Sequence, residues 1–231
     1  MVTRELLSRE RVLRVARDLA DSSGLSALSM RRVAGALGVE AMSLYHHVPG
    51  KEGLLDGLAE QVVAEVQQEV AGGQGDRLED WRAELRHRCL SARTVMLRHP
   101  WAPGLLSTRA TIPSGLWQYY DEVLATMVRG GLNYHVAHRG MHALGSMVLG
   151  FVQEVFSPAA AGGAADTDTA EQDFEAMAAT VPHLTAMVAS EVHAAGDDAL
   201  GWCDTDREFE FTLDLLLDGL ERARRGSGPG V

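Results

Sequence analysis

The fold is decided by residues 29–51, which read SMRRVAGALGVEAMSLYHHVPGK. Apolar residues recur in this stretch at spacings of three and four, which predicts two short helices, one that Ser29 caps and Leu37 ends and one over residues 40–47. Gly38 can adopt the left-handed conformation between them. Two short helices joined by a tight turn with a glycine are typical of a helix-turn-helix, whose second helix lies in the major groove of DNA.

The spacing of apolar residues in the rest of the chain predicts the same class of structure, an all-α fold. Further helices are expected over residues 9–21, 51–70, 79–98, 114–129, 134–156, 171–190 and 205–225. The polar, glycine-rich residues 72–76 indicate a domain boundary. We therefore expect a head over residues 1–50, a linker helix over 51–70 and a second helical domain over 71–231.

Composition excludes several classes of protein. The chain has 231 residues, of which 46% are hydrophobic and 23% charged, as in an ordinary soluble domain. The uncharged residues 140–153 fall short of the roughly 20 apolar residues that a membrane helix needs, so we expect no membrane partner. The charged N-terminal residues, without an apolar segment, are not typical of a secretory signal, so we expect a cytoplasmic protein. Cys89 and Cys203 are far apart in sequence and form no ligand knuckle, so we expect two reduced thiols and no structural zinc. We also expect no other metal and no cofactor.

Charge is uneven along the chain. Residues 1–50 hold seven arginines and five acids, a formal charge of +2, whereas residues 51–231 hold 14 basic and 27 acidic groups, a charge of −13, within a total of −11. This balance argues against a surface that binds nucleic acid or anionic lipid everywhere. It is the asymmetry expected if only the head contacts a polyanion.

The polar side chains of the head supply the chemistry for DNA contact. Once the apolar positions are assigned to the core, the side chains that remain are Arg31, Arg32, Ser43, Tyr45, His46, His47 and Lys51. These groups bind phosphates and base edges. On the spacing of the two helices alone, DNA binding and a purely structural helix pair stay equally open, and these side chains favour DNA binding. Arg32 is better explained as a solvated or salt-bridged arginine than as a base reader, Tyr45 could instead complete the core, and the two histidines could be surface residues without a role.

Residues 34–56, AGALGVEAMSLYHHVPGKEGLLD, resemble the DNA-binding head of the tetracycline-repressor (TetR) family of transcriptional regulators. Residues 209–220, FEFTLDLLLDGL, are similar to the final helix of the subgroup that contains the tetracycline repressor. The resemblance implies a homodimeric repressor that binds a palindromic operator in double-stranded DNA and is released by a small, largely apolar inducer. The chain departs from the tetracycline repressor at Ala41, Met42 and His46, which replace glutamine, proline and tryptophan, so we expect a different operator.

The resemblance also implies roles for single residues. Arg31 would reach a base edge, and Ser29 and Met30 would lie beside the DNA backbone. The base-facing positions of the recognition helix would be Ala41, Met42 and Ser43, and the phosphate-facing ones Tyr45, His46 and His47. Lys51 would contact a phosphate at the start of the fourth helix. Because alanine and methionine offer only apolar contacts, such as one to a thymine methyl group, base reading should depend on Arg31 and Ser43.

The last helix predicts the oligomeric state. At about 100° per residue, Phe209 and Leu213 fall on one side of it, and Phe211 and Leu215 fall on nearly the opposite side. Two apolar faces need two partners, the chain's own core and a second copy, which would form a four-helix bundle with the helix over 134–156. The predicted interface residues are Leu144, Val148, Phe151, Val155, Phe211 and Leu215. A last helix buried wholly within one monomer is the alternative.

A ligand pocket is expected in the second domain. Bulky side chains flank the proline-containing residues 100–113, and a narrow polar stripe follows the helix over 134–156. The predicted ligand-binding residues are Met96, His99, Trp101, Trp117, Tyr120, Met127, His138 and His142. The stripe, which includes the last two, could instead bind a metal or face solvent.

Two other classes of function stay open at this point, a helical dimeric small-molecule-binding protein and a metal-dependent enzyme, both without DNA activity. The sequence contains no nucleophile elbow, no phosphate-binding glycine loop and no HExxH pair. We therefore expect that the chain is not an enzyme.

Overall fold

The computed structural model describes residues 6–73, 80–109, 112–151, 178, 180–195 and 205–226. Regular structure among these residues is helical throughout, which confirms the all-α prediction. The helices are α1 (Arg9–Ser23), α2 (Met30–Leu37), α3 (Ala41–Leu44), α4 (Gly50–Gly72), α5 (Trp81–Arg98), α6 (Ala102–Thr108), α7 (Ser114–Arg129), α8 (Tyr134–Gly150), α9 (Pro182–Ala195) and α10 (Thr205–Gly226). Across the described ranges, no helix combines the length and the apolar character needed to pass through a bilayer.

The second helix of the helix-turn-helix is shorter than predicted. Helix α3 ends at Leu44, and residues 45–47 form turns in which the amides of His47 and Val48 both donate to the Leu44 carbonyl, each at 2.9 Å. Pro49 disfavours helical geometry at Val48, so the helix does not continue beyond these turns.

Some predicted features lie outside the described residues. Helix α8 is described as far as Gly150, whereas the prediction extended it to residue 156. The helix predicted over 171–190 is represented by α9, which begins at Pro182. Val155 and Cys203 do not belong to the described ranges.

The chain divides into two compact units. The first contains Met1–Val152 and Leu215–Val231, and so holds α1 to α8 and the end of α10. The second contains Gln153–Asp214, with α9 and the beginning of α10. In the first unit, α4 packs against α1 and also against α5, α6 and α7. The boundary predicted at residues 72–76 stays a prediction.

Local sequence signals explain how α2 and α3 are placed. The Ser29 hydroxyl caps α2 by accepting a hydrogen bond from the Arg32 amide at 3.2 Å. Gly38 ends α2 in the left-handed conformation, with φ of 67°, and the Val39 amide donates back to the Ala34 carbonyl at 3.0 Å. The turn between α2 and α3 is therefore closed by the chain's own backbone.

The core of the head is built from buried apolar side chains of α1, α2, α3 and α4. Its buried members are Val12, Leu13, Ala16, Leu28, Met30, Val33, Ala34, Leu37, Leu44, Val48, Leu54, Leu58 and Ala59, together with Leu105 of α6. Because Leu105 follows α5 in the chain, the predicted second domain contributes directly to the head's core.

We expect Gly57→Ala to lower the free energy of unfolding by about 1–3 kcal/mol, the usual cost of overpacking a core. A Cβ at Gly57 would lie 2.5 and 2.8 Å from the two Cδ atoms of the buried Leu13, at the contact between α4 and α1. The matched control is Gly35→Ala, where no atom beyond the glycine's own helix and chain neighbours lies within 4 Å. This control should raise the free energy of unfolding by about 0.5–1 kcal/mol. Urea unfolding measures both, and equal stabilities of the two variants would contradict the tight packing.

Candidate DNA-contact surface and ligand cavity

The helix-turn-helix presents several side chains to solvent. Arg31 on α2, Met42 on α3, Tyr45 and His46 after α3, and Lys51 at the start of α4 are all exposed. Within the described ranges, the side chains of Arg31 and Lys51 take part in no hydrogen bond and no ion pair. Two cations at an exposed helix-turn-helix are thus available to a phosphate or a base edge.

Arg32, the neighbour of Arg31, is used inside the head. Its guanidinium donates to the Ser23 hydroxyl at 3.0 Å and to the Ala27 carbonyl at 3.4 Å. These bonds hold the start of α2 to the end of α1. Both partners are neutral, so the exposed Arg32 guanidinium is held by hydrogen bonds within the head and not by the predicted salt bridge.

Burial corrects the prediction at Met30. Its side chain lies in the head's core and is not available to the DNA backbone. The cause is helical spacing, because Met30 precedes Val33, Ala34 and Leu37 by three, four and seven positions and so shares their face. The helical spacing in the sequence thus predicts a buried Met30, whereas the family resemblance implies a Met30 beside the DNA backbone.

The remaining predicted contact residues belong to the same two helices and the turn after them. Ser29 is exposed, but its hydroxyl is engaged as the cap of α2. Ala41, Ser43 and His47 are half-buried. Their contact with DNA stays a prediction.

Tyr45 lies on the surface beside the start of α4. Its side chain is 49% exposed, and its Cε1 atom is 3.8 Å from the position that a Cβ would take on Gly50. Gly50 has φ of 75°, a conformation that other residues rarely adopt. Of the two alternatives for Tyr45, the exposed ring excludes a place in the core.

An apolar cavity of about 260 Å³ lies between α4, α5, α7 and α8. Its lining residues are Val62, Val63, Val66, Leu85, Arg88, Cys89, Ala92, Met96, Leu106, Ser107, Leu116, Tyr119, Tyr120, Val123, Met141, Leu144, Gly145, Val148 and Leu149. Met96 and Tyr120, predicted as ligand-binding residues, belong to this wall. Lining of this kind is typical of small-molecule sites.

The other predicted ligand residues lie elsewhere. Met127 is fully buried, with its Cε 3.3 Å from where a Cβ of Gly140 would lie, and Trp117 is exposed. His138 and His142 are exposed on α8, with ring centroids 4.7 Å apart. Helix α8 turns its apolar face to the cavity, which directs the polar stripe outward. Among the described residues, no group of three or more metal-ligating side chains is placed to hold a metal.

The same orientation of α8 shows that the prediction was wrong for two interface residues. Leu144 and Val148 are buried within the chain as part of the cavity wall, so neither is available to a second copy. Phe151 is half-buried. Phe211 and Leu215 on α10 are 62% and 52% exposed, as an unpaired apolar face requires.

His99 and Trp101, also predicted to bind ligand, lie at a junction between the head and the rest of the first unit. The buried His99 ring places Nδ1 2.7 Å from Asp21 Oδ1 at the end of α1 and Nε2 3.0 Å from Glu65 Oε2 on α4. The Trp101 indole donates to the same Asp21 oxygen at 2.6 Å. Because α5 ends at Arg98, His99 is directed toward the head and away from the cavity.

A second junction joins the end of α6 to the start of α4. Arg109 donates to Asp56 Oδ1 and to Glu52 Oε2, both at 2.9 Å. The hydrogen bonds that Arg109 donates to Glu52 and Asp56 raise the pKa of its guanidinium. Lys51 lies next to Glu52 in the chain, which places this junction at the edge of the DNA-contact surface.

A charged network borders the cavity, and the sequence analysis missed it. Arg88 Nε and Nη2 both donate to Glu84 Oε1 at 3.2 Å, and Nη1 donates to Glu122 Oε2 at 2.9 Å. Thr126 Oγ1 and Arg129 Nη2 also donate to Glu84, at 2.8 and 2.9 Å. Burial raises the pKa of Glu84, but the hydrogen bonds from Thr126 and Arg88 outweigh it and hold that pKa below its usual value.

The chemistry of Cys89 bears on the enzyme alternative. Burial raises the pKa of its thiol to about 12. The thiol is therefore protonated at neutral pH and is neither a nucleophile nor a ready metal ligand.

Comparisons with known proteins agree with the observed geometry. The family profile described as bacterial regulatory proteins, tetR family, matches residues 12–58, and the one described as Tetracyclin repressor-like, C-terminal domain, matches residues 74–224. The HTH-type transcriptional repressor DrrR1 of Streptomyces coeruleorubidus is 31% identical over 93% of this chain and 77% of its own length. A crystal structure of a possible TetR family transcriptional regulator from Streptomyces coelicolor A3(2) has a TM-score of 0.72 at 28% identity, over 94% of this chain and 100% of that one. ActR from Streptomyces coelicolor, in complex with actinorhodin, has a TM-score of 0.70 at 25% identity, over 95% of this chain and 99% of that one.

Arg31→Ala should leave the free energy of unfolding within about 0.5 kcal/mol of the wild type, because an exposed side chain without a partner adds little stability. Arg32→Ala, its matched neighbour, should lower that free energy by about 1 kcal/mol through loss of the bonds to Ser23 and Ala27. Thermal and urea unfolding followed by circular dichroism measure both. Equal losses in the two variants would contradict the different placement of the two arginines.

Proposed function

We infer the function of this chain from its family: it belongs to the TetR family of bacterial regulatory proteins, which its two profile matches and its full-length similarity to a repressor show. The chain is a ligand-responsive transcriptional repressor, and homodimers that bind operator DNA are typical of this family. Such a repressor acts by binding DNA and not by catalysis. We therefore place it in the cytoplasm, where bacterial DNA is found.

The observation that carries the DNA-binding proposal is the pair of unpartnered cations on the helix-turn-helix. Arg31 is suited to a bidentate contact with a guanine edge in the major groove. Lys51 is suited to a phosphate, as a point charge at the start of a helix. Met42 and Ala41 supply apolar contacts, for instance to a thymine methyl group, and the exposed Tyr45 adds a hydroxyl for the backbone.

Two heads are needed for a palindromic operator, and α10 supplies the surface that brings them together. The exposed Phe211 and Leu215 form an apolar face that a second copy would cover. The outward stripe of α8, with His138 and His142, replaces Leu144 and Val148 as the part of that helix available to the bundle.

The ligand site that we propose is the cavity between α4, α5, α7 and α8. Its volume is slightly below the range of about 300–1,000 Å³ that is usual for drug-sized ligands, so a small molecule fits. ActR, which has a similar fold, is seen in complex with actinorhodin. A small, largely apolar molecule is the corresponding inducer for this chain.

Helix α4 connects the two sites. Val62, Val63 and Val66 face the cavity from one part of α4, and the same helix carries Lys51 at its start. The junctions at His99 and Arg109 tie α4 to the segments on either side of α6. A ligand that displaces the cavity wall therefore displaces α4, and ligand and operator oppose each other through one equilibrium between two states.

Arg31→Ala and Lys51→Ala test the DNA-contact surface, with operator duplexes obtained by in vitro selection from random sequence. Arg31→Ala should cost about 1–3 kcal/mol of binding and relax specificity at one position. Lys51→Ala should weaken binding to all sequences alike and reduce the slope of log K against log salt by about 1. Fluorescence anisotropy across a salt series measures both, with Arg98→Ala on α5 as the control. Wild-type binding in both variants would overturn the proposed surface.

The double variant Phe211→Glu/Leu215→Glu should dissociate the homodimer, because two buried carboxylates without partners are costly at an interface. Leu97→Glu is the matched control, since Leu97 is also an exposed apolar side chain, 48% exposed on α5. Sedimentation velocity measures the oligomeric state of each variant, and circular dichroism checks that α-helix is retained. A double variant that stays dimeric would move the interface away from α10.

A further inference from the structure

The cavity holds one formal charge. Of the lining residues that the structure describes, Arg88 is the only ionised one, and the others are mostly apolar or aromatic. The Arg88 side chain is about nine-tenths buried, and its Cζ lies 5.9 Å from the centre of the Tyr119 ring, which also lines the cavity. A buried guanidinium in an apolar wall marks a point where an anionic group can be bound.

The two carboxylates on Arg88 differ in how firmly they are held. Glu84 is 12% exposed and is bound by Thr126 and Arg129 as well as by Arg88. Glu122 is 52% exposed, and its carboxylate contacts only Nη1 of Arg88 among the described residues. An exposed carboxylate regains hydration when it turns outward, so Glu122 is the partner that another anion can replace.

The charge balance favours that replacement. Glu84, Arg88 and Arg129 together carry a net charge of +1, and Glu122 brings the group to zero. If Glu122 turns to solvent, one negative charge on a ligand restores neutrality at Nη1. Burial raises the pKa of both Tyr119 and Tyr120, so their phenols remain neutral and add no charge to the cavity.

We propose that the cavity selects amphipathic organic anions, with an aromatic or apolar body against Tyr119, Tyr120 and the valines of α4 and a single acidic group on Nη1 of Arg88. This inference rests on the proposed function, in which the cavity is the inducer site. It narrows the inducer to one chemical class, an apolar molecule with one carboxylate, sulfonate or ionised phenol.

Two dyes that differ by one acidic group test the proposal on the full chain. 8-Anilinonaphthalene-1-sulfonate has the anion, and N-phenyl-1-naphthylamine has the same aromatic body without it. Fluorescence titration should give about ten-fold or tighter binding for the sulfonate, as a charge-assisted hydrogen bond provides. The chain's formal charge of −11 works against anions in general, so such a preference must arise locally.

Variants identify the side chains that cause the preference for the sulfonate over the neutral dye. Arg88→Met should abolish it and leave the affinity for the neutral dye within about two-fold. Glu122→Gln, a surface change that does not depend on refolding a buried site, should tighten sulfonate binding several-fold and leave the neutral dye unchanged. Glu69→Gln is the matched control, since Glu69 pairs with Arg98 outside the cavity wall. Ala92→Trp should fill the cavity and weaken both dyes.

The outcomes separate this inference from the proposed function. Equal affinities for the two dyes, or sulfonate binding that Glu122→Gln leaves unchanged or weakens, would overturn the anion selectivity while the cavity remains a ligand site. Dye binding that Ala92→Trp leaves unchanged, or no binding at all, would overturn both the selectivity and the ligand site. Operator binding, measured separately, decides the DNA-contact surface in every case.

Discussion

The burial of α4 from two sides is the constraint on which the first unit depends. Leu54 and Leu58 belong to the core of the head, and one to two turns later Val62 and Val66 line the cavity. Because successive parts of one rigid helix complete two different packing arrangements, neither arrangement can shift alone. The His99 and Arg109 junctions reinforce this dependence with hydrogen bonds to carboxylates of the same helix.

The head could be predicted closely because its signals are local in sequence. The Ser29 cap, the left-handed Gly38 and the effect of Pro49 each act within a few residues, and all three are visible in the sequence. Exposure of Arg31, Tyr45 and Lys51 follows once the apolar face of α2 and α3 is filled. Met30 is the instructive exception, since its own helical spacing assigns it to the core.

The cavity could not be predicted to the same degree because it depends on which helices meet. The spacing of Leu144 and Val148 reveals an apolar face, but spacing does not tell a partner subunit from a neighbouring helix of the same chain. Arg88 was missed for a related reason. It lies in a stretch of α5 rich in charged residues, which is typical of a solvated face, and its contacts to α7, with Tyr119 and Glu122, are made with residues more than 30 positions away.

The close approach at Gly57 has a mechanical meaning for the head. With a glycine there, the Leu13 side chain sits directly on the α4 backbone, and the surrounding core is filled from α1, α2 and α3 as well. Close-packed interiors of this kind resist internal sliding and transmit strain instead. When α4 tilts, the head therefore moves with it as a rigid body. A small change in the angle of α4 between two states then becomes a displacement of α3 that grows with its distance from the point about which α4 rotates.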